Sequence, residues 1–216
     1  MKVIVTGSSS GIGEAIVKKF IDENHEVIGL DVSDKAPVES TSYTHYKCDV
    51  SLSSELPDIE GVNILINNAG VQDDSRAIDV NLIGTINCTE KYINPDICAI
   101  VNIASSSATS GAEFPRYAAS KGGVLTYTKN IAMQIAKYGA TCNSISPGGV
   151  YTPINKHIIE SPELMEQVLN ESLLNRWSGC DEIADWVYFV AVINRSMTAQ
   201  DLLIDNGEQA KCNFIW

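Results

Sequence analysis

Residues 2–13 read KVIVTGSSSGIG, a run of mostly β-branched residues that leads into a glycine-rich turn. The pattern predicts a strand over Lys2–Thr6 and a helix over Gly11–Glu23, which is the setting that a dinucleotide-binding turn requires. Gly7 permits the tight turn, Gly11 leaves room for a pyrophosphate, and Gly13 lets the helix pack closely on the strand. The helix N-terminus offers N–H groups and a positive dipole to the phosphates. A purely structural glycine turn is the alternative.

The alternation of short β-branched runs and helical patterns continues along the chain. Helical periodicity covers Ile78–Ile93, Tyr117–Tyr138 and Asp181–Ile193. Strands separated by helices imply a parallel sheet covered on both faces, and right-handed crossovers then give a Rossmann-type doubly wound α/β sheet. We expect one domain over residues 1–216, with its ligands at the carboxyl ends of the strands. The further predicted strands are Glu26–Leu30, Tyr43–Lys47, Val62–Ile66, Ala99–Ala104, Thr141–Ser146 and Asp201–Asp205.

Composition limits the partners that we expect for this chain. Its 216 residues carry a net charge of −12, and an acidic surface repels phosphate backbones, so we expect no nucleic acid. No apolar run approaches the roughly 20 residues that span a bilayer, and the N-terminus turns to glycine and serine too early for a signal peptide. The six cysteines form no Cys-x-x-Cys pair and the three histidines lie far apart. We therefore predict no metal site and no disulfide framework, and a cytoplasmic protein with reduced thiols.

Asp31 ends the second predicted strand, eighteen residues after Gly13. An acid at this place accepts the ribose hydroxyls of the adenosine half of a dinucleotide and would repel a 2′-phosphate. Neither Ser8–Ser10 nor the pair Val32-Ser33 contains a basic residue to offset that repulsion. We therefore predict NAD(H) rather than NADP(H). A solvated acid at the end of a strand is the alternative.

Tyr117 and Lys121 lie four residues apart in a predicted helix, and therefore on one face of it. A phenol is a poor proton donor near neutral pH, but a cation beside it lowers the pKa, typically by roughly 1–3. The pair therefore predicts a general acid/base. An exposed helical pair without function is the alternative.

Motifs in a characteristic order make nearly the whole chain similar to the short-chain dehydrogenase/reductase family. The turn over residues 6–13 resembles the cofactor turn of that family, and Ser105, twelve residues before Tyr117, matches its catalytic serine. Ser106 and Ser107 follow directly and leave the choice of serine open. The other matching segments are Cys48-Asp49-Val50, Asn67-Asn68-Ala69-Gly70, Asp79-Val80-Asn81, residues 146–152 and residues 201–207.

The resemblance implies a role for each matching residue. Asp49 and Val50 would contact adenine, Asn67 would border the adenosine ribose, Val150 would bind the carboxamide and Thr152 the pyrophosphate. The catalytic residues would be Asn81, Ser105, Tyr117 and Lys121, with Asn81 holding a water that links Lys121 to solvent. The full cofactor set would be Gly7, Ser9, Ser10, Gly11, Ile12, Gly13, Asp31, Asp49, Val50, Asn67, Ala69, Gly70, Tyr117, Lys121, Pro147, Gly148, Val150 and Thr152.

The expected function is hydride transfer between NAD(H) and a secondary alcohol or ketone. Tyr117 would exchange the proton and Ser105 would bind the same oxygen, while a lid over residues 151–179 covers the substrate. Members of this family usually form homodimers or homotetramers, and the apolar end Phe214-Ile215-Trp216 favours a subunit contact. Phe114 and Glu113 are expected near the cleft.

The chain departs from the family pattern between Gly70 and Asp79, where only eight residues intervene. We expect an open substrate entrance there and assign no site residue to Val71–Ala77. A non-enzymatic NAD-binding redox sensor or regulator is the main alternative, because a fold does not determine a function. A nucleotide-sugar epimerase or dehydratase shares the Tyr-x-x-x-Lys pair, but that class generally needs a further C-terminal region.

Overall fold

The computed structural model describes residues 1–112 and 114–211 of the chain. Seven strands form one parallel sheet in the order β3-β2-β1-β4-β5-β6-β7. The order runs outward in both directions from β1 and β4, which confirms the predicted Rossmann-type doubly wound sheet. The strands are β1 Lys2–Thr6, β2 Glu26–Asp31, β3 Tyr43–Lys47, β4 Ile64–Asn67, β5 Ala99–Ile103, β6 Thr141–Pro147 and β7 Asp201–Ile204.

Helices lie between these strands. Two stretches predicted as continuous α-helix begin or end in a π-helical turn, at Ile78–Ile83 before α2 and at Phe189–Ile193 after α7. In the first of these turns the Thr85 hydroxyl donates to the Asn81 carbonyl oxygen at 2.8 Å. The helices are α1 Gly11–Asp22, α2 Gly84–Tyr92, α3 Ser107–Ser110, α4 Pro115–Ile135, α5 Lys156–Ile159, α6 Pro162–Leu169 and α7 Cys180–Tyr188.

Alternate residues of the central strands pack into two separate apolar layers. Val3 and Val5 of β1 face α1 and α7, while Ile4 faces α2 and α4. The alternation follows from the two-residue period of a strand, and each layer is completed by the apolar stripes of two helices. The edge strand β3 differs from the expectation of two apolar faces, because its residues are half-buried or exposed.

The described cysteines, acidic groups and helices bear on disulfide bonds, metal binding and membrane insertion. The five described cysteines are free thiols. Within residues 1–112 and 114–211, no group of three acidic, histidine or cysteine side chains is arranged to hold a metal ion. No described helix combines the length and the apolarity that crossing a membrane requires.

Candidate active site

A cleft of about 610 Å³ runs along the carboxyl ends of the central strands. It lies where the strand order changes direction between β1 and β4, the place where doubly wound sheets bind their ligands. Most of the predicted site residues line it, namely Gly7, Ser10, Gly11, Ile12, Asp31, Asp49, Val50, Ala69, Gly70, Ser105, Tyr117, Lys121, Pro147, Gly148, Val150 and Thr152.

The glycine-rich turn at one wall of the cleft has the geometry of an anion site. Gly7 and Gly11 adopt φ angles of +65° and +56°, which favour glycine strongly. A Cβ on Gly13 would lie 1.9 Å from the Gly7 carbonyl oxygen, so α1 can approach β1 only because Gly13 has no side chain. The Ser10 side chain does not cap α1. The first-turn N–H groups of α1 are therefore available to a phosphate, and the turn fits a dinucleotide.

Asp31 stands at the end of β2, where it lines the cleft beside the glycine-rich turn. Its carboxylate accepts the backbone N–H of Ser9 at 2.9 Å and that of Ser33 at 2.8 Å. These two bonds hold the carboxylate beside the glycine-rich turn. The oxygens retain further lone pairs for ribose hydroxyls, because each carboxylate oxygen accepts more than one hydrogen bond.

Two predicted cofactor residues lie outside the cleft lining, and the structure gives both a supporting role. Ser9 bonds Asp31 through its backbone and donates its hydroxyl to the Lys35 carbonyl oxygen at 2.9 Å. Gly13 lies behind the turn, against Gly7. Both therefore shape the turn from behind.

Asn67 is also absent from the cleft lining, which corrects its predicted place beside the ribose. Its side chain is buried in the sheet and donates to Thr89 Oγ1 at 3.0 Å and to Asn102 Oδ1 at 2.8 Å. The physical reason is the alternation of β4, which turns Asn67 inward and leaves the next residue at the cleft. That residue, Asn68, lines the cleft and donates to the carbonyl oxygens of Thr6 and Gly7.

Tyr117, Lys121 and Ser105 meet at the other end of the cleft. The Lys121 Nζ lies 5.9 Å from the centroid of the Tyr117 ring and donates to the Ile103 carbonyl oxygen at 2.8 Å. Lys121 is only 4% exposed, so its charge acts on the phenol with little screening by solvent. Ser105 follows β5 and its Oγ lies 3.2 Å from both Ser107 Oγ and the Ser107 backbone nitrogen. A phenol, a serine hydroxyl and a buried cation thus converge at one end of the cleft, as proton transfer to a carbonyl oxygen requires.

Comparisons with known proteins agree with this geometry. Residues 1–163 match the family model described as short chain dehydrogenase. The 2-(R)-hydroxypropyl-CoM dehydrogenase of Xanthobacter autotrophicus is 31% identical over 229 residues, which cover 87% of this chain and 90% of that protein. The chain belongs to the short-chain dehydrogenase/reductase family. It is therefore an oxidoreductase of the kind that acts on CH–OH groups.

This short-chain dehydrogenase matches one further relative over nearly its whole length and another over less than half. A solved structure of 4-hydroxyisoleucine dehydrogenase complexed with NADH matches with a TM-score of 0.85 and 27% sequence identity. The match covers 98% of this chain and 99% of the chain of that dehydrogenase. An uncharacterized short-chain type dehydrogenase/reductase of Sinorhizobium fredii is 29% identical over 95% of this chain, but the chain spans only 43% of that protein.

Asn81, which the family resemblance predicted as a catalytic residue, does not line the cleft. Its Oδ1 accepts the Val71 N–H at 2.8 Å, and its Nδ2 donates to the Val71 carbonyl oxygen and to Ser120 Oγ, each at 3.0 Å. Ser120 in turn donates to the Tyr117 carbonyl oxygen at 2.7 Å. The side chain therefore ties the segment after Gly70 to the helix that carries Tyr117.

The short segment 71–77, where no site residue was predicted, supplies two side chains that bond distant parts of the chain. Asp74 Oδ1 accepts the backbone N–H of Arg116 at 2.7 Å and that of Tyr117 at 3.3 Å. The residue before α4, Phe114, has no side-chain capping bond, so Asp74 caps this helix from a distant part of the chain. No sequence motif marks such a cap, because the pairing exists only once the chain has folded.

Arg76 is the second of these side chains, and it lines the cleft beside Asp49. Its Nη2 lies 2.7 Å from Asp49 Oδ2. Partial burial opposes ionisation of Asp49, but hydrogen bonds from Ser51 and Arg76 outweigh it and hold the pKa of this carboxyl below its usual range. Cys48, next to it, has its pKa raised to about 11, chiefly by burial, so this thiol stays protonated.

The segment after β6 forms the outer wall of the cleft in this short-chain dehydrogenase. Ile154 and Ile158 are among its lining residues, whereas Ile159 and Leu164 are not. A Cβ on Gly149 would lie 2.0 Å from the Trp177 indole nitrogen, so Trp177 packs directly on the loop after β6. Phe114 is 52% exposed and lies outside the lining, and Glu113 lies outside the described residues.

Proposed function

We propose that this protein transfers hydride between NAD(H) and a secondary alcohol or ketone, with Tyr117 as the general acid/base. The observation that carries the proposal is the meeting of Tyr117, Lys121 and Ser105 at one end of a cleft whose other end is a glycine-rich anion turn. A pure NAD sensor needs the turn but has no use for the three polar side chains. Hydride transfer therefore accounts for more of the residues in the site than NAD sensing does.

The roles of the three side chains follow from their chemistry. A bound nicotinamide supplies or accepts the hydride. In reduction, Tyr117 donates a proton to the carbonyl oxygen as negative charge develops on it, and in oxidation its phenolate takes the proton of the alcohol. Ser105 donates a hydrogen bond to the same oxygen and orients it. Lys121 stabilises the phenolate by its charge and would bind the nicotinamide ribose.

The same proposal names NAD(H) as the cofactor. The Asp31 carboxylate is held at the end of β2 by two backbone N–H groups, so a 2′-phosphate would meet a negative charge that cannot swing away. Arg76, the cation on this side of the cleft lining, is paired with Asp49. A relative has been solved in complex with NADH, which supports a nicotinamide cofactor in the same cleft.

We extend the proposal to the assembly, the lid and the compartment. Exposed apolar side chains on two helical surfaces, Met133 on α4 and the contacting pair Trp186 and Phe189 at the end of α7, support a homodimer or homotetramer. We propose that residues 151–179 move as a lid of a single domain, since they carry the outer wall of the cleft. Free thiols support a cytoplasmic location. Sedimentation analysis tests the assembly directly.

The cofactor is tested by titrating NADH and NADPH into the wild type and into Asp31→Ser. The wild type should bind NADH at least about tenfold more tightly than NADPH, because like charges placed close together in a partly buried cleft repel strongly. Asp31→Ser should bring the affinities for NADH and NADPH closer together, mainly by improving NADPH binding. Turnover is followed with the preferred cofactor and a panel of ketones, quinones and β-ketoacyl thioesters. Equal affinity for both cofactors in the wild type would refute the role given to Asp31.

A further inference from the structure

One charged side chain at the catalytic end of the cleft has no role in the mechanism described above. The charged residues of the described lining are Asp31, Asp49, Arg76, Lys121, Glu171 and Glu208. The first three lie at the adenosine end, and Lys121 serves Tyr117. Glu171 comes from the outer wall, and Glu208 comes from the turn after β7.

The turn after β7 holds Glu208 between the catalytic serine and the loop after β6. Glu208 Oε1 lies 3.4 Å from Ser106 Oγ, next to Ser105. On the opposite side, a Cβ on Gly148 would lie 2.8 Å from Glu208 Oε2. The residue itself is half-buried. Its carboxylate therefore borders the space between the proton-transferring groups and the loop proposed to hold the nicotinamide.

Hydrogen bonds on both sides of Glu208 fix the conformation of this turn. The buried Asp205 accepts the backbone N–H groups of Gly207 and Gln209, each at 2.9 Å. The Gln209 side chain then donates to the Ser106 carbonyl oxygen at 2.6 Å. Asp205 thus holds the backbone on both sides of Glu208, and the Gln209 side chain joins this turn to the serine segment.

The cleft offers little to balance a negative substrate. The described lining carries two cations, and Arg76 pairs with Asp49 while Lys121 donates to the Ile103 carbonyl oxygen beside Tyr117. Against them stand four acids, so the lining is negative overall, and Lys211 is not a lining residue. A carboxylate on the substrate would thus approach Glu208 in a cleft with an excess of negative charge.

We propose that Glu208 sets the charge preference of the active site, in favour of substrates that carry a protonated amine beside the reacting carbon and against those that carry a carboxylate. The proposal rests on the proposed function, since it assigns the substrate class of that same site. Each unit of substrate charge should change affinity by about tenfold, the effect of charges roughly 6 Å apart at an effective dielectric constant of about 40.

Three compounds with the same CH₃–CH(OH)– unit isolate the charge. These are 1-amino-2-propanol, 2-butanol and lactate, which are cationic, neutral and anionic near pH 7. Each is titrated into the wild-type complex with NADH, where no turnover occurs, and binding is followed by the nicotinamide fluorescence. The expected order of affinity is amine, neutral alcohol, acid. A wild type that binds lactate as tightly as 2-butanol, or more tightly, would overturn the proposal.

Matched variants separate charge from structure. Glu208→Gln should shrink the amine-to-lactate ratio of affinities by about a hundredfold, because the two compounds differ by two units of charge. Glu208→Asp should restore the order because it keeps the charge, and Glu163→Gln, on α6 outside the cleft lining, should match the wild type. If Glu208→Gln leaves the amine-to-lactate ratio of affinities unchanged, the proposal is also refuted. Failure of the proposed function shows separately, as absence of turnover with every carbonyl compound of the panel. The ranking of the three ligands is still measured on the complex with NADH, or by calorimetry on the free protein if NADH does not bind, and the same order decides the proposal.

Discussion

The cap that Asp74 places on the catalytic helix leads to a prediction that combines stability and activity. Asp74 Oδ1 accepts the N–H groups of Arg116 and Tyr117 at 2.7 and 3.3 Å, and the preceding Phe114 offers no side-chain cap. Removing a capping side chain costs about 0.5–2 kcal/mol, typically about 1. The charge itself adds about 0.3–1 kcal/mol at a helix N-terminus. Asp74→Ala should therefore lose about 1–2 kcal/mol of unfolding free energy, the sum of a typical cap and its charge.

Asp74→Asn separates the two contributions. Asparagine is as good a cap as aspartate but carries no charge, so this variant should lose only about 0.3–1 kcal/mol. Turnover should follow the cap, because the N–H of Tyr117 itself loses its acceptor in Asp74→Ala. We expect a fall in kcat of about tenfold in Asp74→Ala, since small displacements of a catalytic group are costly, and little change in Asp74→Asn.

The assay is denaturant unfolding followed by steady-state kinetics on the same preparations. Asp73→Ala is the matched control, because Asp73 lies in the same segment and its carboxylate accepts the backbone N–H and the hydroxyl of Ser75. The reasoning is refuted if Asp74→Ala is no less stable and no less active than Asp73→Ala. A stability loss without a loss of kcat would refute only the coupling to Tyr117.

Three further perturbations test other parts of the structure. Gly13→Ala should destabilise the fold strongly, since the added Cβ would lie 1.9 Å from a backbone oxygen. Gly122→Ala in α4 places its Cβ no closer than 3.5 Å to any neighbour and should stabilise the fold by about 0.4–1 kcal/mol. Thermal unfolding of both variants tests this contrast. The pKa of Glu182 is held at about 2, below its ordinary 4.5, chiefly by Arg176. A depressed pKa stabilises the fold above the ordinary value and loses that effect as pH falls from 4.5 toward 2, so Glu182→Gln should flatten this part of a stability–pH curve. Alkylation of the native protein should modify the exposed Cys98 well before the buried Cys142, whose pKa is raised to about 12, as peptide mass mapping would show; equal rates would contradict the described burial.

The sequence predicted those features that depend on local pattern. The alternation of strands and helices, from which the doubly wound sheet was predicted, and the glycine-rich turn follow from residues that are close in the chain, such as Gly7 and Gly13. The pair Tyr117 and Lys121 could be placed on one helix face from spacing alone. The bounds of β1 and β3 are as predicted, whereas those of the other five strands shifted by one or two residues, for example to Ile64–Asn67 instead of Val62–Ile66, because pairing with neighbouring strands decides where a strand ends.

What the sequence could not predict depends on contacts between distant segments. Asn67 and Asn68 are adjacent and identical, and only the pleat of β4 decides which of them faces the cleft. Asp74 acquires its role from a helix that begins some forty residues later. Glu208 enters the cleft because Gln209 is bonded to Ser106, a pairing across 103 positions. Such partners carry no signal in a single sequence.

The central claim, that Tyr117 transfers the proton, is tested most directly by Tyr117→Phe. The substitution removes one oxygen and preserves the ring, and Tyr151→Phe is a matched control because Tyr151 packs on Trp177 with ring centroids 5.7 Å apart. NADH affinity and kcat are measured for both variants against the wild type. We predict that Tyr117→Phe binds NADH nearly as tightly as the wild type but loses about 10²–10⁴-fold in kcat, while Tyr151→Phe keeps its activity. A Tyr117→Phe variant that turns over at the rate of the wild type would contradict the mechanism, and a wild type that binds NADH yet reduces no carbonyl compound would favour the redox sensor.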